Sequence, residues 1–130
     1  MEDNSTAPKI LVVEDEKLLL NAIGKKLTNS GYAPILCQSA QKALDYLAST
    51  KTLPNAIWLD YYLGDMNGVD FMNELRKNDG WSSIPLIVVS NSASEQKRQA
   101  MLSMGAKKYL LKAQYRLEDI VKELAEMIGV

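Results

Sequence analysis

Short apolar runs alternate along the chain with segments in which apolar residues recur at helical spacing. The apolar runs are KILVV (9–13), APILC (33–37), AIWL (56–59), PLIVV (85–89) and KKYLL (107–111). The central runs have no polar alternation, which is typical of parallel strands covered by helices on both faces. Five strands that alternate with five helices predict an α/β fold with a single doubly wound parallel sheet.

Each helical segment carries one apolar stripe, so each predicted helix packs one side against the sheet. The stripes are Leu19, Ala22, Ile23 and Leu27; Ala40, Ala43, Leu44 and Leu47; Phe71, Met72 and Leu75; Ala100, Met101 and Met104; and Leu117, Ile120, Val121, Leu124 and Ile128. Gly31 and Gly105 follow the first and fourth helices, where a left-handed cap is expected. Asn67 is predicted to cap the third helix, and Ser92 with Glu95 to form a capping box for the fourth.

The length and charge of the chain predict one soluble intracellular domain. At 130 residues it fits a single domain, with a flexible tail expected over 1–8 and the folded domain over 9–130. The 15 basic and 16 acidic residues give a net charge of −1, without the basic surface expected of a protein that binds nucleic acid or anionic membranes. No apolar segment approaches the roughly 20 residues needed to span a bilayer.

Two residue counts limit the possible chemistry. The chain has one cysteine, Cys37, which excludes an intrachain disulfide and is predicted to be a small buried apolar residue. It has no histidine, which excludes histidine-based triads, histidine metal ligands and histidine general bases. Any chemistry must therefore use carboxylates, hydroxyls, lysine or a metal.

Polar residues follow four of the five predicted strands. In doubly wound sheets, ligands bind outside the carboxyl ends of the strands, where the strand order reverses. The first strand leads into Glu14, Asp15 and Glu16, the third into Asp60, the fourth into Ser90 and the fifth into Lys112. The sequence therefore predicts a polar site at this edge of the sheet.

Each of these residues also has an ordinary structural interpretation. Asp15 is placed to cap the first helix, and Ser90 the fourth. Lys112 is a candidate for a solvated side chain whose aliphatic stem lies on the surface. Asp60 is harder to explain in this way, because the next helical stripe begins near Gly68, too far along the chain for a capping bond.

Carboxylates that meet at neighbouring strand ends repel one another unless a cation neutralises them. A hard cation such as Mg²⁺ binds carboxylate and carbonyl oxygens, and Lys112 would supply a second positive charge. This set of groups suits phosphoryl transfer, in which Ser90 donates a hydrogen bond and a carboxylate is the nucleophile. We predict Asp60 to be that nucleophile, since it stands alone on the central strand between the acidic residues and Ser90.

Four motifs, taken in order, resemble the receiver domain of bacterial response regulators of the chemotaxis-regulator type. They are LVVEDE, IWLDYYLGDMNG, VVSNS and MGAKKYLLK. The similarity extends from Lys9 to Ile128. It implies a cytoplasmic receiver domain over residues 9–130 with a flavodoxin-like (βα)5 fold and strand order 2-1-3-4-5.

The resemblance implies that Asp60 accepts a phosphoryl group from a phosphohistidine. The donor would be a partner sensor histidine kinase or a histidine phosphotransfer protein, and Ser90 and Lys112 would contact the phosphoryl oxygens. On this interpretation the chain is not a conventional enzyme, but catalyses its own phosphorylation and dephosphorylation at Asp60.

The resemblance also implies a metal site. Asp15 and Asp60 would bind Mg²⁺, or Mn²⁺, directly, together with the backbone carbonyl of Tyr62. Glu14 would act mainly through water.

Tyr109 matches the family's aromatic switch residue. When Ser90 moves toward the phosphate, the ring of Tyr109 would turn inward and change the face formed by the fourth helix, the fifth strand and the fifth helix. An output protein is expected to bind that face, with neither nucleic acid nor membrane as a direct partner. The alternative interpretation of Tyr109 is a half-buried strand tyrosine.

Two positions differ from the family's pattern. Ala113 stands where a proline usually follows the lysine, often after a cis bond. A cis bond before alanine would cost about 3 to 4 kcal/mol, so we expect a trans bond, or a strained one. Leu63-Gly64 replaces the usual Met-Pro pair after the acceptor, which favours a more mobile loop.

Three other functions remain open. A Mg²⁺-dependent phosphatase of the haloacid-dehalogenase type also uses an Asp nucleophile, but has a second Asp where this chain has Tyr62. A flavodoxin-like FMN binder would place a phosphate against the acidic residues 14–16, which would repel it. A receiver-like interaction module that is never phosphorylated would be expected to lack Asp60 or Lys112, and this chain has both.

Overall fold

The computed structural model describes residues 6–129. Residues 1–5 of the predicted tail lie outside this range. The strands are β1 (Lys9–Val13), β2 (Ala33–Cys37), β3 (Ala56–Asp60), β4 (Leu86–Ser90) and β5 (Lys108–Leu111). The helices are α1 (Lys17–Asn29), α2 (Ala40–Ser49), α3 (Gly68–Arg76), α4 (Asp79–Ser82), α5 (Glu95–Ser103) and α6 (Leu117–Ile128). The fourth and fifth helices predicted from the sequence are thus α5 and α6.

The strands form one parallel sheet in the order β2-β1-β3-β4-β5. This confirms the predicted doubly wound α/β fold and its strand order. The change of direction falls between β1 and β3, which places the carboxyl ends of these two strands at the crevice of the sheet.

Helices cover both faces of the sheet, and successive side chains along a strand point to opposite faces, so both sets of side chains are buried. One apolar cluster contains Leu11, Ile57 and Val88 together with residues of α2, α3 and α5. The other contains Val12, Trp58 and residues of α1 and α6. The absence of polar alternation in these strands is explained by this double covering.

The structure corrects the predicted face of α1. The buried residues are Leu20, Ile23, Gly24 and Leu27. Leu19 is half-buried and packs against the apolar cluster, as predicted, but Ala22 is exposed although it was predicted to belong to the buried stripe. The three consecutive leucines do not show which side of the helix faces the sheet. The close contact with β2 determines it, since a Cβ at position 24 would lie 2.8 Å from a methyl carbon of Leu36.

The helix ends agree with the sequence at most positions. Gly31 and Gly105 have φ of 95° and 113°, in the left-handed region. Asn67 accepts a hydrogen bond from the amide of Asp70 and forms a capping box with it. The predicted Ser92–Glu95 capping box is wrong, because the cap of α5 is Ser94, whose side chain accepts from the amide of Lys97.

Helix α4 was not predicted. It is a four-residue helix, too short to show an apolar period, and it is capped by the side chain of Asn78. None of the helices in residues 6–129 is long and apolar enough to cross a membrane.

Candidate functional site

The strand register brings the predicted site residues to one edge of the sheet. Val13 of β1 pairs with Leu59 of β3, so the next residues, Glu14 and Asp60, are neighbours. Asp60 pairs with Val89 of β4, which places Ser90 one residue beyond it. On the far side, β5 ends beside Ser90 and leads directly into Lys112.

Three carboxylates meet at this edge. One oxygen each from Glu14, Asp15 and Asp60 lies within 4.8 Å of the others. Glu14 and Asp60 are buried, with 2% and 6% of their surface exposed, whereas Asp15 is exposed. The cluster thus opens to solvent on the side of Asp15, where an incoming group can reach it.

Lys112 neutralises part of this charge. Its Nζ lies 3.4 Å from Oδ1 of Asp60 and 3.2 Å from Oε1 of Glu14. Burial alone would lower the pKa of Lys112, but the nearby carboxylates of Asp60 and Glu14 outweigh it and raise that pKa. Lys112 therefore stays protonated and points into the site.

Asp60 is the carboxylate most affected by its surroundings. Its pKa is raised to about 6, first by burial and then by the neighbouring charge of Glu14. Lys112 acts in the opposite direction but does not cancel the increase. Burial therefore disfavours the charged form of Asp60, and this favours the approach of a further cation.

The loop after Lys112 directs the lysine at Asp60 without a cis peptide bond. Residues 6–129 contain no cis peptide, so the bond before Ala113 is trans, as expected from the sequence. Lys112 begins a short 3₁₀ turn (Lys112–Gln114) directly after β5. The replacement of the usual proline by Ala113 therefore leaves the lysine directed at Asp60.

A series of serine hydrogen bonds leads from the site to α5. The Oγ of Ser90, which is fully buried, accepts from the amide of Ser92 at 3.0 Å. The Oγ of Ser92 accepts from the amide of Ser94 at 3.2 Å, and Ser94 then caps α5. We call Ser90, Ser92 and Ser94 the serine ladder.

Tyr109 is joined to the same ladder. The side chain is half-buried, and its hydroxyl donates to the carbonyl of Ser92 at 3.0 Å. The sequence identified Ser90 and Tyr109 separately, but the ladder that connects them was visible only as three serines at alternate positions.

Tyr62 lies at the rim with 47% of its surface exposed. Its ring packs edge-on against Tyr61, and Nζ of Lys97 on α5 lies 5.7 Å from the ring centroid. The contact with Lys97 could not be predicted from the sequence, because the two residues are 35 positions apart in the chain. This contact is a second connection between the site and α5.

Comparison with known proteins adds family information to this geometry. A family model described as the response regulator receiver domain matches residues 10–125. Response regulator MprA of Mycolicibacterium vanbaalenii is 29% identical over 120 residues, which cover 92% of this chain and 50% of that protein. The KDP operon transcriptional regulatory protein KdpE of Escherichia coli (strain K12) is 34% identical over 103 residues, which cover 79% of this chain and 44% of that protein. The chain spans about half the length of these curated relatives.

Solved structures share the fold. The chemotaxis response regulator CheY4 of Vibrio cholerae superposes with a TM-score of 0.84 and 22% identity, over 94% of this chain and 99% of that one. A CheY-like receiver domain protein from Methanospirillum hungatei JF-1 gives 0.83 and 22%, over 95% of both chains. At these identities the structures support the fold alone.

Proposed function

The chain belongs to the family of response regulator receiver domains, and on this premise we propose that it is a phosphoacceptor switch of a two-component phosphorelay. Asp60 takes the phosphoryl group from a phosphohistidine on a sensor histidine kinase or a histidine phosphotransfer protein. The observation that carries the proposal is the position of Asp60, buried between the Lys112 ammonium at 3.4 Å and the carboxylates of Glu14 and Asp15.

The transfer step needs an ionised nucleophile and a neutralised phosphoryl group. A carboxylate oxygen of Asp60 forms the new O–P bond while the P–N bond to the donor imidazole breaks, and the imidazole nitrogen keeps the electron pair. Lys112 balances charge on the phosphoryl oxygens. Ser90 donates a hydrogen bond to one of them, since a serine hydroxyl that accepts one hydrogen bond can still donate another.

The donor set fits Mg²⁺, or Mn²⁺ in its place. Carboxylate oxygens within 4.8 Å of one another suit a hard divalent cation, which when bound offsets charge on the carboxylates and on the phosphoryl oxygens. Asp15 and Asp60 would hold it directly, together with the carbonyl of Tyr62. Glu14, whose oxygens accept from Lys112 and from the amide of Glu16, would act mainly through water.

The signal leaves the site through Ser90. When the Ser90 side chain moves toward the phosphoryl group, the Ser92 amide that donates to it follows, and the Ser92 carbonyl that accepts from Tyr109 shifts as well. The ring of Tyr109 and the start of α5 then change position. An output protein binds the face formed by α5, β5 and α6.

Intact-mass measurement after incubation with Mg²⁺ and acetyl phosphate tests the proposal. We expect the wild-type chain to gain one phosphoryl group and Asp60→Asn to gain none. Asp45→Asn, at an exposed carboxylate on α2, is the matched control and should behave as wild type. A gain that persists in Asp60→Asn would place the acceptor elsewhere, and no gain from any donor would favour an interaction module that is never phosphorylated.

The same incubation separates the switch from a phosphatase. Tyr62 occupies the position at which a haloacid-dehalogenase phosphatase has its second aspartate, so Asp60 has no acidic partner there. We expect a transient phosphoprotein and no sustained release of product from p-nitrophenyl phosphate. Steady turnover of that ester, lost in Asp60→Asn, would contradict the switch.

A further inference from the structure

Asp65 joins the loop after the acceptor to a different part of the fold. Its two carboxylate oxygens accept hydrogen bonds from the amides of Ala40, at 3.1 Å, and Gln41, at 2.8 Å. These amides are in the first turn of α2, which follows the edge strand β2. The contact therefore ties the loop that follows β3 to a helix on the far side of β1.

The half-buried side chains of Leu63 and Met66 pack against the apolar cluster that contains residues of α2, α3 and α5. A bridge between Tyr62 and Asn67 closes the base of the loop, and the amide of Leu63 donates to the carbonyl of Met66 across it. Gly64 lies between these anchors, and a Cβ at that position would be 3.8 Å from Oδ2 of Asp15. The exposed tip of the loop at Gly64 thus lies close to Asp15.

We propose that Asp65 is a positioning residue for the cation and phosphoryl site. By clamping the loop to α2, it fixes the backbone of residues 62–64 at a set distance from Asp15 and Asp60. The carbonyl of Tyr62 would then be held within reach of a cation bound by Asp15 and Asp60. This inference rests on the proposed function and adds a residue to it.

The alternative is that Asp65 only caps α2. That helix already has a local cap, since Ser39 accepts from the amide of Lys42 at 3.1 Å. Asp65 comes from 25 residues further along the chain and binds the two amides that Ser39 does not. Ser39 therefore provides a matched control: Ser39→Ala weakens the same helix end but leaves the loop clamp in place.

The first measurement is amide hydrogen exchange in the metal-free protein. Asp65→Ala should speed exchange at Leu63 by about five-fold, the change expected when a bond worth about 1 kcal/mol is lost. Ser39→Ala should speed exchange at Lys42 and leave Leu63 within two-fold of wild type, on the order of experimental scatter. Unchanged exchange at Leu63 in Asp65→Ala would overturn the clamp, whatever the site binds.

The second measurement is Mg²⁺ affinity, followed by the fluorescence of Trp58. This residue lies two positions before Asp60 and lines a cavity with Glu14 and Lys112. All variants carry Trp81→Phe so that only Trp58 is observed. Asp65→Ala should weaken binding by about ten-fold, as loss of a supporting contact does at other metal sites. Asp65→Asn, which keeps one oxygen acceptor, should fall between Asp65→Ala and wild type.

The outcomes separate the two proposals. Equal Mg²⁺ affinity in Asp65→Ala and Ser39→Ala would mean that Asp65 is a helix cap and not a positioning residue. If wild type itself fails to bind Mg²⁺ or to take a phosphoryl group at Asp60, the proposed function fails. In that case the Leu63 exchange rates still decide whether the clamp exists.

Discussion

At Asp60, different forces hold the helices on the two faces of the sheet. On one side are Glu14 and Lys112, and the chain after Lys112 leads into α6, which buries Ile120, Val121 and Leu124 in an apolar cluster. We call this the charged side.

The other side, which we call the hydroxyl side, consists of the serine ladder, Tyr109 and α5. Among its nine described residues, α5 fully buries one, Met101. The helix is held in addition by the Ser94 cap, by the Tyr109 bond to Ser92 and by Lys97 over Tyr62.

The difference shows where this fold can move. Shifting α6 would expose apolar side chains, at a cost of roughly 25 cal/mol for each Å². Shifting α5 would break hydrogen bonds that water can replace, at a net cost of about 1 kcal/mol each. We therefore expect the hydroxyl side to change with phosphorylation and the charged side to stay in place.

The largest expected effect comes from breaking the packing of α6. Leu124 is fully buried, so Leu124→Ala should lower the free energy of unfolding by about 2 to 5 kcal/mol. Leu18→Ala, at a leucine that is 79% exposed on α1, is the matched control and should change it by less than about 0.5 kcal/mol. Urea unfolding measures both, and similar losses would show that α6 is not held by packing.

A second prediction concerns the charge on Asp60 in metal-free protein. Its folded-state pKa of about 6 lies above the ordinary value of 3.8, so the folded state binds this proton more tightly than the unfolded state does. The free energy of unfolding should then fall as pH rises from about 4 to about 6. Allowing for screening by water, the loss should be on the order of 2 kcal/mol.

Asp60→Asn removes this dependence. We expect the variant to gain stability relative to wild type across that pH range, as measured by urea unfolding at several pH values without metal. Asp45→Asn should follow the wild-type curve. Parallel curves for wild type and Asp60→Asn would mean that burial does not disfavour the Asp60 charge.

The hydroxyl side should give smaller effects. Ser94→Ala removes the cap of α5 and should cost about 1 kcal/mol, seen first as faster amide exchange in the first turn of the helix. Ser103→Ala, at the other end of α5, is the control. If α5 exchanges no faster in Ser94→Ala, the ladder does not hold the helix.

The smallest effect is expected for the contact between Lys97 and Tyr62. A double-mutant cycle with Tyr62→Leu and Lys97→Met should give a coupling energy of about 0.5 kcal/mol, as for other exposed cation–π pairs. Urea unfolding of the four proteins measures it. A coupling near zero would leave the serine ladder and Tyr109 as the connections from the site to α5.

The sequence alone determined the fold and most of the site. Unbroken apolar runs predicted strands buried on both faces, and the strand ends predicted which side chains share an edge. Glu14, Asp15, Asp60 and Lys112 lie together as predicted, because parallel strands deliver their carboxyl ends to the same rim. This relation follows from local pattern and topology, both of which can be read along the chain.

Contacts between distant segments were decided only by the tertiary structure. The face that α1 buries depends on how closely Gly24 approaches Leu36. The choice of Ser94 as the cap of α5 depends on which serine lies next to the first turn of the folded helix. The bonds from Asp65 to α2 join residues 24 and 25 positions apart. The pattern of residues along the chain indicates which secondary structure each segment forms. Contacts between segments depend on how the helices and strands pack in three dimensions, which the pattern does not specify.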